Sequence, residues 1–322
     1  MSPIRIAVDA AGGDHGTPVI LDGVLLARER WPGEFTATLC GDNGTIERAL
    51  GDRGVSLPCD GLVVEHCPDS IGPADPPAQA WRKRGGAPAV RSIALQAEGL
   101  VDASVGAGDT GVFMAAANFL LGRTEGAARA ALAATVPTTA GSPALLLDVG
   151  ASMDCRPEHL LAFGAMGCEY MRGFYGTDEP RVALLNVGAE PKKGPKKVCA
   201  AARMMADEIR GFAGYIEGSH VLSGDADVIV CDGFAGNVLL KVCQSFYALT
   251  ESVLASRPDT LNTVKQTMAI LNAESYGAVP LLGIDGVVLK AHGNSSAHAI
   301  ANAVGTTLDV VNRGVMPVAA AS

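Results

Sequence analysis

Aromatic residues make up only 5% of this 322-residue chain, with two tryptophans, so large rings do not build its core. Small and branched aliphatics must fill it instead, as they do where helices pack closely on a sheet. No Cys-x-x-Cys pair occurs among the eight cysteines, which excludes a zinc knuckle or a disulfide framework and fits a reducing cytoplasm. No apolar run approaches the ~18 residues of a membrane span. Arg5 and Asp9 sit inside the first apolar stretch, so a secretory signal is not expected either. Positive charge is also scarce. A formal net charge of −9 argues against a nucleic-acid partner, because phosphate backbones are met by clustered Lys and Arg. The local exception is Lys192, Lys193, Lys196 and Lys197. A solvated first helical turn is the plain reading of that run, and a docking patch for an acidic partner the sharper one.

What the chain has is alternation. Repeatedly an aliphatic run stops at a short loop of Gly, Asp, Asn, Thr or Ser, and a helix-like stretch follows. The first case is Ile4 to Asp9, then Ala10-Ala11-Gly12-Gly13-Asp14-His15-Gly16. Others end at Gly41-Asp42-Asn43, Gly106 to Gly111, Asp148 to Asp154, Asn186-Val187-Gly188, Asp232 to Asn237 and His292 to Ser296. Strands alternating with helices imply a mostly parallel sheet whose strand-to-helix loops gather at one edge. Glycine loops backed by helix N-termini suit an anion, and phosphate is the first expectation.

Thr17 and Pro18 read as N-cap and first helical residue of a helix through Arg30. Strands are expected at 35–40, 62–67, 101–105, 132–136, 144–149, 181–186, 227–232 and 287–290. Leu132 to Val136 and Ala144 to Val149 have no helix between them and form an antiparallel hairpin. Ser70 to Pro77, with three prolines, predicts a long loop of lid type. After Pro157 a helix runs to about Met171, with Gly164 and Gly167 smoothing a face for another helix. Val238 to Leu271 is helical, divided near Arg257-Pro258. No repeat or linker is evident, so one domain over 1–322 is expected.

The loops suggest chemistry unevenly. Gly12-Gly13-Asp14-His15 does not match Gly-x-Gly-x-x-Gly, which disfavours nicotinamide binding, although the turn suits phosphate and His15 can hold an anion or pass a proton. Lys290-Ala291-His292-Gly293 places a cation and an imidazole at the end of the last strand, where a core role is awkward for lysine. Asp232 orients a loop and Asn237 caps a helix without any need for catalysis. Asp154-Cys155-Arg156-Pro157-Glu158-His159 brings thiol, acid and imidazole together, but a buried cysteine is more often a small hydrophobe than a nucleophile.

Four blocks, Val8 to His15, Leu146 to Leu160, Val230 to Lys241 and Pro280 to Gly293, in this order over the whole chain, resemble the phosphate acyltransferases of the PlsX family. The resemblance implies a Rossmann-like three-layer α/β/α sandwich, mostly parallel with an antiparallel hairpin, akin to the isocitrate and isopropylmalate dehydrogenases. It implies a cytoplasmic homodimer that moves a long fatty acyl chain from acyl carrier protein to inorganic phosphate. The acyl phosphate would serve phospholipid synthesis at the inner face of the membrane, with a membrane glycerol-3-phosphate acyltransferase as its consumer. Departures from the family pattern are Ala74-Asp75-Pro76-Pro77, Arg82-Lys83-Arg84-Gly85-Gly86, Asp109 where asparagine is usual, and Glu190 to Lys196.

Phosphate is already an oxygen nucleophile, so the implied reaction needs orientation and charge neutralisation, with no metal and no cofactor. The expected phosphate ligands are Gly12, Gly13, Gly108, Thr110, Gly111, Asn186, Gly236 and Asn237. The expected catalytic groups are His15, Lys290, His292 and Asp232, and the lysines at 192, 193, 196 and 197 are expected to meet the carrier. Two rivals stand beside this reading: a short-chain phosphotransacylase using coenzyme A, and a non-catalytic paralogue acting as a binding subunit.

Overall fold

A computed structural model describes residues 2–72, 75–267 and 272–317. The described residues divide into two compact units, one within 2–122 and 276–317 and one within 123–275. The first unit opens with β1 (Ile4–Asp9), α1 (Gly16–Arg30), β2 (Phe35–Gly41), α2 (Asn43–Gly51) and β3 (Leu62–His66). It continues with α3 (Pro77–Lys83), α4 (Pro88–Ala97), β4 (Ala103–Gly106) and α5 (Thr110–Leu120). The second holds β5 (Ala131–Val136), β6 (Ala144–Leu147), α6 (Pro157–Tyr170), β7 (Val182–Asn186), α7 (Lys196–Glu208), β8 (Phe212–Glu217), β9 (Val228–Val230), α8 (Gly233–Leu254) and α9 (Pro258–Thr267). A short α10 (Ala273–Tyr276) leads back to the first unit, which β10 (Ala278–Leu282), β11 (Val287–Ala291) and α11 (Ala297–Arg313) complete.

In the first unit the strand order is β3-β2-β1-β4-β11-β10, parallel except for the β10–β11 pair. The central strands are buried on both faces, so they read as aliphatic runs without alternation: in β1, Ile6, Ala7 and Val8 are all inaccessible or nearly so. Close helix packing follows from small residues. A Cβ on Gly23 of α1 would lie 2.4 Å from the Ile300 Cβ of α11, so only glycine lets these two helices touch. In the second unit the order is β5-β6-β9-β7-β8, and the expected β5–β6 hairpin is present with Ala133 opposite Leu147 and Val136 opposite Ala144.

Several local expectations need correcting. Helix α1 begins one residue before Thr17, with His15 at the cap and no side-chain capping bond. Gly164 does admit a helix, α7, through Met205, but Gly167 faces the sheet, where Val228 and Leu147 would meet its Cβ. The long helical region divides where expected, into α8 and α9, although Met268 to Leu271 lie outside the described residues. So do Pro73 and Ala74 of the expected lid loop, the rest of which leads into α3.

Candidate active site

In the first unit the loops after β1, β2, β3, β4 and β11 open on one side of the sheet and enclose a cavity of about 970 Å³. This is the carboxyl edge of parallel strands, where α/β sheets bind ligands. Gly12, Gly13, Gly108, Thr110 and Lys290 of the expected set line it. His15, Gly111 and His292 belong to the same loops but are not among the lining residues.

The floor is a buried acid and a buried base. Asp9, the last residue of β1, is 2% exposed, and Lys290 of β11 is 7% exposed. Burial pushes the Asp9 carboxyl up to about 6, against the opposing pull of the Ala11 N–H, Lys290 and the Gly12 N–H. The Ala11 N–H donates to Asp9 Oδ1 at 3.2 Å. Burial likewise lowers the Lys290 ammonium to about 8, opposed by Asp9, Asp109 and Asp14. Lys290 Nζ donates to the Ala291 carbonyl. With a pKa of about 8 the ammonium is ~90% charged at pH 7 yet close to titration, which suits a group that neutralises an anion in a dry site.

The glycines wrap the acid. A Cβ on Gly12 would stand 2.4 Å from Asp9 Oδ2 and 2.6 Å from the Gly108 N, and one on Gly108 would stand 2.9 Å from Asp9 Oδ2. The two loops close over the carboxyl only because neither carries a side chain. Gly13 takes a left-handed φ of 83°, and the next residue, Asp14, donates its N–H to Gly293 O at 2.7 Å, joining the β1 and β11 loops. Asp14 lines the cavity too, and three further carboxylates there are turned on backbone amides. Asp42 accepts from Thr45 N at 2.8 Å, Asp69 from Gly86 N at 3.1 Å, and Asp109 from Val112 N at 2.9 Å. Asp42 and Asp109 are thereby the N-caps of α2 and α5.

The remaining expected residues belong to the second unit, where they hold loops together. Asp232 caps α8 through Ala235 N (2.9 Å) and pairs with Lys197 at 3.0 Å, while Lys197 also reaches Asp154 at 3.0 Å. These bonds, Asp154 first, raise the Lys197 pKa. Asn237 Nδ2 donates to Val149 O at 3.1 Å. Gly236 leaves room for the Asp148 carbonyl, which a Cβ would meet at 1.9 Å. Asn186 donates to Lys193 O at 2.8 Å and to Gly188 O at 3.2 Å, pinning the loop after β7. At the centre of these loops Asp148 accepts backbone N–H bonds from Leu132, Gly150, Ala151 and Ser152. Burial still lifts its carboxyl to about 6.

Two features were not foreseen. Asp9 escaped the sequence reading, although an acid closing the run Ile6-Ala7-Val8 is the signal that could have found it. Asp148 escaped it in the same way. Cys155 is buried, and desolvation together with Asp148 and Asp232 pushes its thiol up to about 11, so it carries almost no thiolate at pH 7. His159 is spent on the start of α6, where Nδ1 accepts from Arg156 N at 3.3 Å. The thiol is thus desolvated, the imidazole is bonded within the turn that opens α6, and Asp154 is paired with Lys197.

The fold is that of the phosphotransacylases and their α/β relatives. It is similar to a phosphotransacetylase from Streptococcus pyogenes, with a TM-score of 0.64 at 14% identity over 96% of this chain and 94% of that one. It is also similar to a 4-hydroxythreonine-4-phosphate dehydrogenase from Klebsiella pneumoniae, with a TM-score of 0.58 at 15% identity over 96% of this chain and 98% of that one. Sequence carries the comparison beyond fold. A family model described as "Fatty acid synthesis protein" matches residues 4–317. The chain is 37% identical to a phosphate acyltransferase of Bacillus subtilis, covering 97% of this chain and 96% of that one. It is 36% identical to another from Halorhodospira halophila, covering 98% and 94%. The chain belongs to the phosphate acyltransferase (PlsX) family and is an enzyme that transfers an acyl group to phosphate.

Proposed function

We propose that the donor is a long-chain acyl thioester of acyl carrier protein, that phosphate is held in the Asp9–Lys290 cavity, and that the acyl phosphate formed feeds phospholipid synthesis. The observation that carries the reading is the cavity itself: glycine loops at strand ends, a single lysine at its floor, and aspartates engaged on amides. Loop N–H groups at Gly13 and Gly108, the Thr110 hydroxyl and the Lys290 ammonium orient the phosphate, with Gly12 leaving room for it. One of its oxygens attacks the thioester carbonyl, forming the C–O bond. The tetrahedral oxyanion collapses, the C–S bond breaks, and the departing thiolate takes a proton from Lys290 or from solvent. A thiolate with a pKa near ~8.5 leaves readily, and Lys290 at about 8 is matched to it. His15 and His292 sit one loop residue away from the cavity and serve as positioning groups.

Carrier recognition is part of the same reading. Of the four expected lysines, Lys197 is held by Asp154 and Asp232 and Lys193 pairs with Glu190 at 3.3 Å, which leaves Lys192 and Lys196 as the better-placed cations of that segment. We read the enzyme as a homodimer through α8. Phe234, Val238, Val242, Phe246, Leu249 and Val253 recur every three or four residues, each about half or more exposed, along a helix ~33 Å long. A second copy supplies an identical seam, as a twofold interface requires. No helix among the described residues is long and apolar enough to cross a membrane, and we place the enzyme in the cytoplasm, delivering product at the inner membrane face.

The test is incubation of the purified chain with palmitoyl-acyl carrier protein and phosphate, trapping acyl phosphate as its hydroxamate, with phosphate-free and palmitoyl-coenzyme A controls. Phosphate-dependent product from the carrier donor is expected. Turnover of coenzyme A thioesters alone would replace this reading with the phosphotransacylase one. Sedimentation of wild type against Phe246→Glu tests the α8 seam, with a monomeric variant expected.

A further inference from the structure

The first unit carries a second concavity, of about 500 Å³, lined by Gln79, Trp81, Arg82, Lys83 and Phe119. Its floor is a stacked pair of rings, Trp81 of α3 and Phe119 of α5, with centroids 4.5 Å apart and planes 13° apart. The Arg82 guanidinium stands 5.5 Å from the Trp81 centroid. Phe119 is 58% exposed, in a chain poor in large rings. Arg82, Lys83 and Arg84 are exposed too, a run of cations in a chain of net charge −9.

Geometry narrows the occupant. Successive side chains on a helix leave it ~100° apart, so Arg82 and Lys83 reach the concavity from different directions, while Arg84, past the end of α3, pairs with Asp75 at 3.6 Å. Arg82 and Lys83 spread positive field over a broad face, which suits an acidic macromolecule. A half-buried Trp and an exposed Phe with Arg beside them form the aromatic and cationic anchor that dominates protein interfaces. The patch also lies within reach of the chemistry. Helix α5 starts at Thr110 in the catalytic cavity, and Phe119 stands nine residues further on, ~14 Å along the axis. Helix α3 is pressed onto the start of α5, where a Cβ on Gly111 would lie 2.9 Å from the Pro77 Cβ.

We propose that the Trp81–Phe119 platform, with Arg82 and Lys83, is the docking surface for the acidic protein that carries the acyl thioester. This rests on the carrier-donor reading above and adds where the carrier sits. The test compares the unmodified chain with Phe119→Ala and with Arg82→Glu/Lys83→Glu, none of which touches the catalytic cavity, and with Lys192→Glu/Lys196→Glu. Steady-state rates are measured with palmitoyl-acyl carrier protein and with palmitoyl-coenzyme A, and binding of the unacylated carrier is measured by calorimetry. Each of the first two variants is expected to raise the KM for the carrier donor, and the Kd for the carrier, roughly tenfold or more. Rates with the coenzyme A thioester stay within about twofold. Raising salt is expected to weaken carrier binding by the unmodified chain far more than by Arg82→Glu/Lys83→Glu. Carrier binding unchanged in both variants, or lost only in Lys192→Glu/Lys196→Glu, overturns the assignment. So does a larger loss with coenzyme A than with the carrier, which would mark a nucleotide subsite. A chain that neither binds the carrier nor uses its thioester before any substitution would instead sink the donor reading itself.

Discussion

Replacing Asp9 by Asn is expected to stabilise the enzyme at neutral pH while impairing it. Asp9 is buried beneath Gly12 and Gly108, and its carboxyl is raised from an ordinary 3.8 to about 6. A carboxyl raised on folding favours the neutral acid in the native state. Below pH ~4 both folded and unfolded chains hold the proton and Asp9 contributes no pH dependence. Between ~4 and ~6 the unfolded chain ionises while the native one resists, and stability falls. Above ~6 the full difference, about 3 kcal/mol, is reached. Asn cannot ionise, so the variant lacks this decline. Asp148 and the ion-paired aspartates titrate alike in both proteins and cancel in the comparison. Calorimetric Tm values at pH 4 and 7 should therefore diverge in favour of Asp9→Asn by about 3 kcal/mol, or roughly 6–12 °C for a unit of this size. Activity should move the other way, because losing the Asp9 charge lowers the Lys290 pKa below about 8 and leaves less ammonium at pH 7. A Tm difference that is the same at both pH values would refute the reasoning, since it would reflect only amide packing.

Asp109→Asn keeps an oxygen to accept from Val112 N but removes one charge that raises Lys290, so the alkaline limb of kcat/KM near pH 8 should move to lower pH with little change in Tm. An unmoved limb would show that Lys290 is not the titrating group. Lys290→Met should lower kcat/KM by roughly 10²–10³-fold, as removal of an oxyanion-stabilising donor does, and Lys290→Arg should recover little because the floor is closed; steady-state rates decide. Gly236→Ala drives a methyl into the Asp148 carbonyl and should destabilise the second unit by several kcal/mol, read as a lower urea midpoint. Near-normal stability would mean that the α8 start can shift.

The sequence was most informative where local chemistry and remote packing agree. Buried parallel strands are aliphatic throughout, and a loop must follow each one, so β1, β2, β4 and β11 and the glycines that cap them were legible. Strand β8 was missed because only Ile216 of its residues is buried and Gly214 interrupts it, and β10 because Pro280 stands in its middle. The Thr17-Pro18 pair promised a capped helix start, yet the connection back to Gly293 sets the entry and the helix begins earlier, at Gly16. The site was half visible. Lys290 could be suspected as a cation at a strand end, but its acidic neighbour Asp9 lies about 280 residues away in sequence, and no periodicity links the two. Asp232, Gly236 and Asn237 look from sequence like an anion loop; the bonds they make are those of a helix start fastened to the Asp148 loop.

That separation of Asp9 from Lys290 has a consequence for biosynthesis. The second unit spans Arg123–Ser275 without interruption, whereas the first is begun at β1 and finished only by β10, β11 and α11. At roughly 5–20 residues per second, the strand bearing Lys290 leaves the ribosome tens of seconds after the one bearing Asp9. Until then β4 lacks the β11 neighbour it pairs with, and α1 lacks the helix that its Gly23 was shaped to receive. The candidate cavity is thus completed only after the whole second unit has been made, and a nascent chain arrested before Val287 carries the acid of the site without its base.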